Sequence, residues 1–275
     1  MFEQIANIFG YLLNFLYTLL NNYGLAIIIF SILVKLLLLP LTIKQQKTME
    51  KTTKMQEELK SLQFKYKNDP EKLNKEMMDL YKRENMSPFS GCLSSIVQII
   101  LILAVFYLVR SPLTHMKKVD INIIEKYTNQ LETKTSYPEV QVIKEFGAEN
   151  EEVYVNMEFL GLDLSSVPTS NLTDFKTLII PFLYVVSSIV SMKMTLNMQN
   201  KGKEEKEKVQ SETESMEDMM QGTSKSMSYM MPIMAFSISL VAPLGLALYW
   251  LMSNLLMIAE RIFINKFISK KGEEA

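Results

Sequence analysis

A single cysteine, Cys92, and a single histidine, His115, occur among 275 residues. One thiol excludes an intrachain disulfide framework and a cysteine metal cluster. The histidine lies outside every long apolar run, so no Ser/His or Cys/His pair can be built around an intramembrane nucleophile. A Gly-rich phosphate loop is missing as well. The reading is a non-enzyme with no metal and no cofactor. Net charge is also nearly absent, at −1. That value says nothing about partners, because the charges are segregated along the chain.

What the chain has in abundance is long apolar runs, at Gly24–Ile43, Phe89–Val109, Phe175–Met194, Ser226–Ala242 and Leu244–Asn265. Each approaches the roughly 20 residues that a helix needs to cross a hydrocarbon core about 30 Å thick. They predict an all-α polytopic membrane protein with transmembrane helices over 23–43, 88–110, 173–195, 226–243 and 244–265. The last two are joined only by Ala242-Pro243-Leu244, which forces a tight helical hairpin.

The segments between the spans set the orientation. Residues 1–22 place Phe2, Ile5, Phe9, Leu12, Leu13, Leu16 and Leu20 on one helical face, with Glu3, Asn7, Asn14 and Thr18 largely opposite. This predicts an amphipathic helix lying in the membrane interface, ended by Asn21-Asn22-Tyr23-Gly24. An extension of the first span is the alternative. Residues 44–87 read as two helices, Lys44–Lys67 and Glu71–Asn85, broken at Asn68-Asp69-Pro70, with Asp69 as cap and Pro70 in the first turn. Met55, Leu59, Leu62 and Tyr66 on one arm and Leu73, Met77, Leu80 and Tyr81 on the other predict an antiparallel hairpin. Its lysine-rich composition makes it cytoplasmic by the positive-inside rule. Lys44, Lys47, Lys51 and Lys54, with Met55 and Met77, are its candidate recruiting residues.

Residues 111–172 hold five lysines against ten acids, in keeping with an external segment. Asp120–Leu131 reads as a short helix and Val153–Phe159 as extended chain. Residues 196–225 form a second cytoplasmic loop in a methionine-dense region, and 266–275 a cytoplasmic tail beside Arg261 and Lys266. Ser187, Ser188 and Ser191 permit close helix approach in the third span. Tyr249 and Trp250 read as anchors at the outer interface. The topology is N-terminus out and C-terminus in.

Two polar features interrupt the apolar runs. Lys35 sits near the middle of the first span, with about two turns of apolar residues on either side. A cation there costs at least about 2.5–3.5 kcal/mol on insertion scales, so it should face a bundle interior or a wet cavity rather than snorkel. Gln98 needs a hydrogen-bonding partner in the second span, where Ser94 and Ser95 accompany it. Gln98 either bonds neighbouring helices together or lines a cavity, and Lys35, Gln98, Ser94 and Ser95 are the candidate polar site residues. One use of such a cation is the pathway of a small transporter or channel, although no internal repeat supports it.

The final hairpin, with Met231-Pro232, Pro243-Leu244-Gly245-Leu246, Leu248-Tyr249-Trp250 and Ser253-Asn254, resembles the YidC/Oxa/Alb membrane-protein insertases. Leu33–Gln56, GCLSSIVQ at Gly91–Gln98 and FLGLDLS at Phe159–Ser165 extend the likeness to nearly the whole chain. The resemblance implies five helices around a hydrophilic groove open to the cytoplasm and lipid. A cation in the first span draws in the hydrophilic, often acidic, tail of a nascent membrane protein. Lys35 stands where the family usually has arginine, and Glu260 where glutamine is common. The implied partners are nascent membrane proteins, the ribosome, the Sec translocon and the lipid bilayer, without sequence-specific nucleic-acid binding. The implied location is a bacterial plasma membrane. An assembly factor that only chaperones folding is a further alternative.

Overall fold

The computed structural model describes residues 2–85, 90–170, 173–201, 230, 232–264 and 266. It is an all-α membrane protein with, among the described residues, one minimal strand pair. Among the described residues, three helical stretches are long and apolar enough to cross a membrane: Tyr23–Thr48, Phe175–Asn197 and Leu244–Ile264. In the 18-residue apolar window of each, 28%, 28% and 22% of the residues are buried in protein. Ile99–Arg110 and Pro232–Val241 are shorter apolar stretches where the sequence predicts the second and fourth spans.

In chain order, α1 covers Phe2–Leu20, α2 Tyr23–Lys65, α3 Pro70–Arg83 and α4 Ser90–Arg110. A single π-turn, Leu113–Lys117, precedes α5 (Ile121–Thr128) and α6 (Pro138–Phe146). Then come β1 (Glu158–Phe159), β2 (Leu162–Asp163), α7 (Ile179–Lys201), α8 (Pro232–Val241) and α9 (Leu244–Ile264). The chain divides into two units. One holds residues 1–37, 101–194 and 209–275, the other 38–100 and 195–208.

In the second unit, the arm expected over Lys44–Lys67 is the continuation of the helix that begins at Tyr23. That helix continues through Pro40 and the Lys/Gln/Thr/Glu run to Lys65. That run is made of helix-tolerant residues and meets no breaker before Asn68-Asp69-Pro70. There the expected punctuation holds. The Asp69 carboxylate accepts the Lys72 N–H at 3.1 Å, with Pro70 as first helical residue of α3. Met55 and Leu80 are buried, and Arg83 Nη2 reaches Glu58 Oε2 at 2.5 Å across the two arms.

In the first unit, α1 lies on the π-turn. Ala6, Gly10, Leu13, Leu16 and Tyr17 form its buried face. Asn7, expected on the polar side, instead takes part in this contact. Its Oδ1 pairs with His115 Nδ1 at 3.0 Å and accepts Lys118 Nζ at 2.7 Å. Ile8, Tyr11, Phe15 and Leu19 make a separate exposed apolar stripe. The face read from the sequence as membrane-bound is therefore partly the protein-packed one. The turn is fixed from α6 as well, where the Glu139 carboxylate accepts Thr114 N–H at 2.9 Å and Thr114 Oγ1–H at 2.7 Å. Burial raises the Glu139 pKa, against the lowering effect of those Thr114 bonds.

Residues 154–166 lace the starts of α2 and α9 to this frame. Asn156 accepts Tyr23 N–H through its carbonyl, donates from its side chain to the Asn21 carbonyl, and gives its own N–H to Tyr17 Oη. The first N–H groups of α9, on Leu244 and Gly245, are taken by the Ser166 and Leu164 carbonyls at 2.9 and 2.8 Å. Asp163 stiffens this strap. Burial alone would raise its pKa, but the Ser165 hydroxyl and N–H, the Ser166 hydroxyl and Lys144 outweigh burial and hold it below the ordinary aspartate value. A depressed carboxylate contributes stability above its unfolded pKa and loses it as pH falls through the folded one. Asp163→Asn is thus expected to lower stability at pH 7 by about 1 kcal/mol after solvent screening. In thermal unfolding the deficit against wild type should narrow as pH falls through and beneath the ordinary aspartate range.

Candidate functional site

On α2, Ile27, Phe30, Ser31 and Val34 are buried and Leu33, Leu36 and Leu37 exposed. Positions 27, 30, 31 and 34 form one helical stripe, so this is the protein-facing side. Lys35 lies on the flank of that stripe, about 18 Å along the helix from Tyr23. Its Nζ contacts Glu260 Oε2 of α9 at 3.2 Å, with side chains 24% and 6% exposed respectively. The other carboxylate oxygen, Glu260 Oε1, is buried without a hydrogen-bond partner among the described residues.

The intramembrane lysine is therefore charge-compensated, which the sequence reading did not foresee. A signal for it was present, because Glu260 is an acid of opposite sign inside the last apolar run. Burying either charge alone would be costly, and the pair offsets much of that cost. The unpartnered Oε1 leaves the compensation incomplete. A point-charge ammonium engages one oxygen, where a guanidinium fork could engage both.

A polar seam joins α9 to α7 nearby. Asn254 Nδ2 donates to Ser188 Oγ at 2.8 Å and to Ser187 Oγ at 3.4 Å. Arg261 Nη1 donates to the Ser191 carbonyl at 3.3 Å. The serines thus do more than permit close approach, since two of them bond a side chain on the neighbouring helix. Toward the start of α9, Trp250 stacks on Tyr184 with centroids 5.9 Å apart. Tyr249, read from the sequence as an interfacial anchor, is 8% exposed and packs inside the protein.

The remaining candidates fall as follows. Gln98, Ser94 and Ser95 lie on α4, and their side chains are outside the described residues. Lys44, Lys47 and Lys51 are exposed on α2, while the Lys54 side chain is outside the described residues. Met55 is 5% exposed and Met77 half-buried, which makes Met55 a core residue of the helical hairpin rather than part of a free recruiting surface. Most of the methionine-dense 192–231 region is outside the described residues.

A sequence profile described as 60Kd inner membrane protein matches residues 15–271. A protein of Treponema denticola named membrane protein insertase YidC is 27% identical over 97% of this chain and 38% of its own length. Its namesake in Fusobacterium nucleatum is 27% identical over 97% of both chains. That in Pelodictyon phaeoclathratiforme is 31% identical over 90% of this chain and 33% of its own length. The chain thus spans between 33% and 38% of the length of two of these relatives and nearly all of the other. A profile match over almost the whole chain shows that it belongs to the 60Kd inner membrane protein family, the YidC/Oxa/Alb family.

Proposed function

We propose that this protein is a membrane protein insertase. It captures the hydrophilic tail of a nascent membrane protein within the bilayer and releases the client's helix into lipid. The observation that carries this reading is Lys35, a partly accessible cation placed well inside a membrane-spanning helix. Such a charge is expensive in lipid and is expected where a polar ligand must be met. In low dielectric its attraction for a client carboxylate is several times that in water.

In the full proposal, five spans surround a groove with Gln98, Ser94 and Ser95 on its wall. The hairpin bearing Lys44, Lys47, Lys51 and Lys54 faces the cytoplasm, with the N-terminus outside a bacterial plasma membrane. The ribosome and the Sec translocon are proposed to deliver clients there. The family membership and the relatives' names support the insertase reading, and the exposed lysines suit a cytoplasmic surface.

Reconstituted vesicles provide the test. Purified protein is expected to move the acidic N-terminal tail of a labelled single-span client into the lumen, read as protease protection, without passing small ions or solutes. Solute flux without tail protection would establish a transporter instead. Prevention of client aggregation with neither would establish a folding chaperone.

A further inference from the structure

Lys35 is not waiting empty for a client. Its ammonium is already held by a carboxylate, and that carboxylate is supplied by the chain itself. From this geometry we infer that Glu260 is an internal stand-in for the client's acidic tail. The tail must displace it, and the pair sets a threshold that selects tails by their carboxylates. The inference rests on the insertase reading and adds a specificity-determining residue to it.

Two features of the site favour exchange over a fixed structural bridge. First, Lys35 engages a single oxygen, and Glu260 Oε1 has no partner among the described residues, so the resident ligand is incompletely bound. Second, the two partners differ in access. Lys35 is 24% exposed and Glu260 6%, so an incoming carboxylate reaches the lysine from outside while Glu260 holds it from within.

A tail carrying Asp or Glu replaces like with like at Lys35 and preserves the site's charge balance. A neutral tail offers only hydrogen bonds and would leave the buried pair closed. Only the fraction of molecules with Lys35 released can accept a weakly acidic tail, so apparent affinity falls by that fraction. Removing the Glu260 charge removes the threshold.

The test uses three clients identical except for zero, one or three carboxylates in the tail, inserted into vesicles by wild type and by Glu260→Gln. Wild-type yield should rise steeply with carboxylate number. Glu260→Gln should flatten that dependence, raising the zero- and one-carboxylate clients by about ten-fold where the pair is closed nine-tenths of the time. An unchanged dependence overturns the inference. So does an equal loss for all three clients in a variant that unfolds at the wild-type temperature.

A second measurement needs no variant. Carbodiimide joins an amine to a carboxylate in direct contact, so wild type should yield an internal Lys35–Glu260 amide, detectable by mass spectrometry. A soluble peptide with three aspartates should shift the Lys35 crosslink onto itself, and its asparagine counterpart should not. An internal crosslink that survives saturating acidic peptide overturns the inference. Wild type that inserts none of the clients removes the insertase reading itself, whereas insertion with an unaltered Glu260→Gln profile removes only the stand-in.

Discussion

Replacing Lys35 with alanine is expected to abolish protection of an acidic client tail and to destabilise the protein by about 3 kcal/mol. The two losses have different origins. Function is lost because the cation that binds the tail is gone. Stability is lost because Glu260, with its side chain 6% exposed, keeps a charge that has lost its ion-pair partner. Removing one member of a buried pair is costly, whereas replacing both by apolar residues of similar volume is close to neutral. The double substitution Lys35→Met with Glu260→Leu should therefore recover wild-type thermal stability in detergent while still failing to protect the tail. Lys35→Arg should keep insertion of strongly acidic tails. It should also gain about 1 kcal/mol, because a guanidinium fork reaches the unpartnered Oε1 as well as Oε2. Alanine at 35 with wild-type insertion would show that the lysine does not drive capture. A double variant as unstable as the single one would show that the pair is not what holds the two helices in register.

The second large effect belongs to Gly10, far along the chain from the ion pair. A glycine inside a helix normally costs about 1 kcal/mol relative to alanine, so Gly10→Ala should stabilise α1 on propensity alone. The structure reverses that sign. A Cβ built on Gly10 would stand 1.8 Å from the His115 carbonyl oxygen and 2.6 Å from its carbon. Both are backbone atoms of the π-turn, which Glu139 and Asn7 already hold in place, so neither can swing aside. Gly10→Ala should therefore cost about 3 kcal/mol, at the upper end for overpacking. It should expose α1 to proteolysis before the rest of the unit unfolds. Gly24→Ala is the internal control. Its Cβ would meet Phe159 at Cγ, 2.5 Å away, and at Cβ, 2.8 Å away. The half-buried ring can turn, but the Cβ overlap needs a small shift of the backbone there, whereas Gly10 meets backbone directly. Its effect on the melting temperature should be the smaller of the two. Equal effects would mean that α1 is not docked on the turn.

The sequence by itself determined what local physics controls. An apolar run of about 20 residues specifies a span, because unsatisfied backbone in lipid leaves helix as the only answer for a single segment. Asn68-Asp69-Pro70 specifies the break between α2 and α3, because the cap and the proline act within one turn. Lys35 stood out because a charge in an apolar run is expensive wherever it ends up.

The tertiary structure decided which faces meet. Lys35 and Glu260 are 225 residues apart, and Asn7 and His115 are 108 apart. Nothing in either local sequence names the other. In a water-soluble protein the polar face of a helix points outward and reveals which side is buried. In a membrane the lipid-facing and protein-facing sides are both apolar, and the signal that would orient each helix disappears. For that reason α1 was read as binding the membrane with a face it uses in part on the π-turn, and Tyr249 as an anchor although it is buried. The carboxylate that holds the intramembrane lysine could be read only once α2 and α9 had been packed side by side.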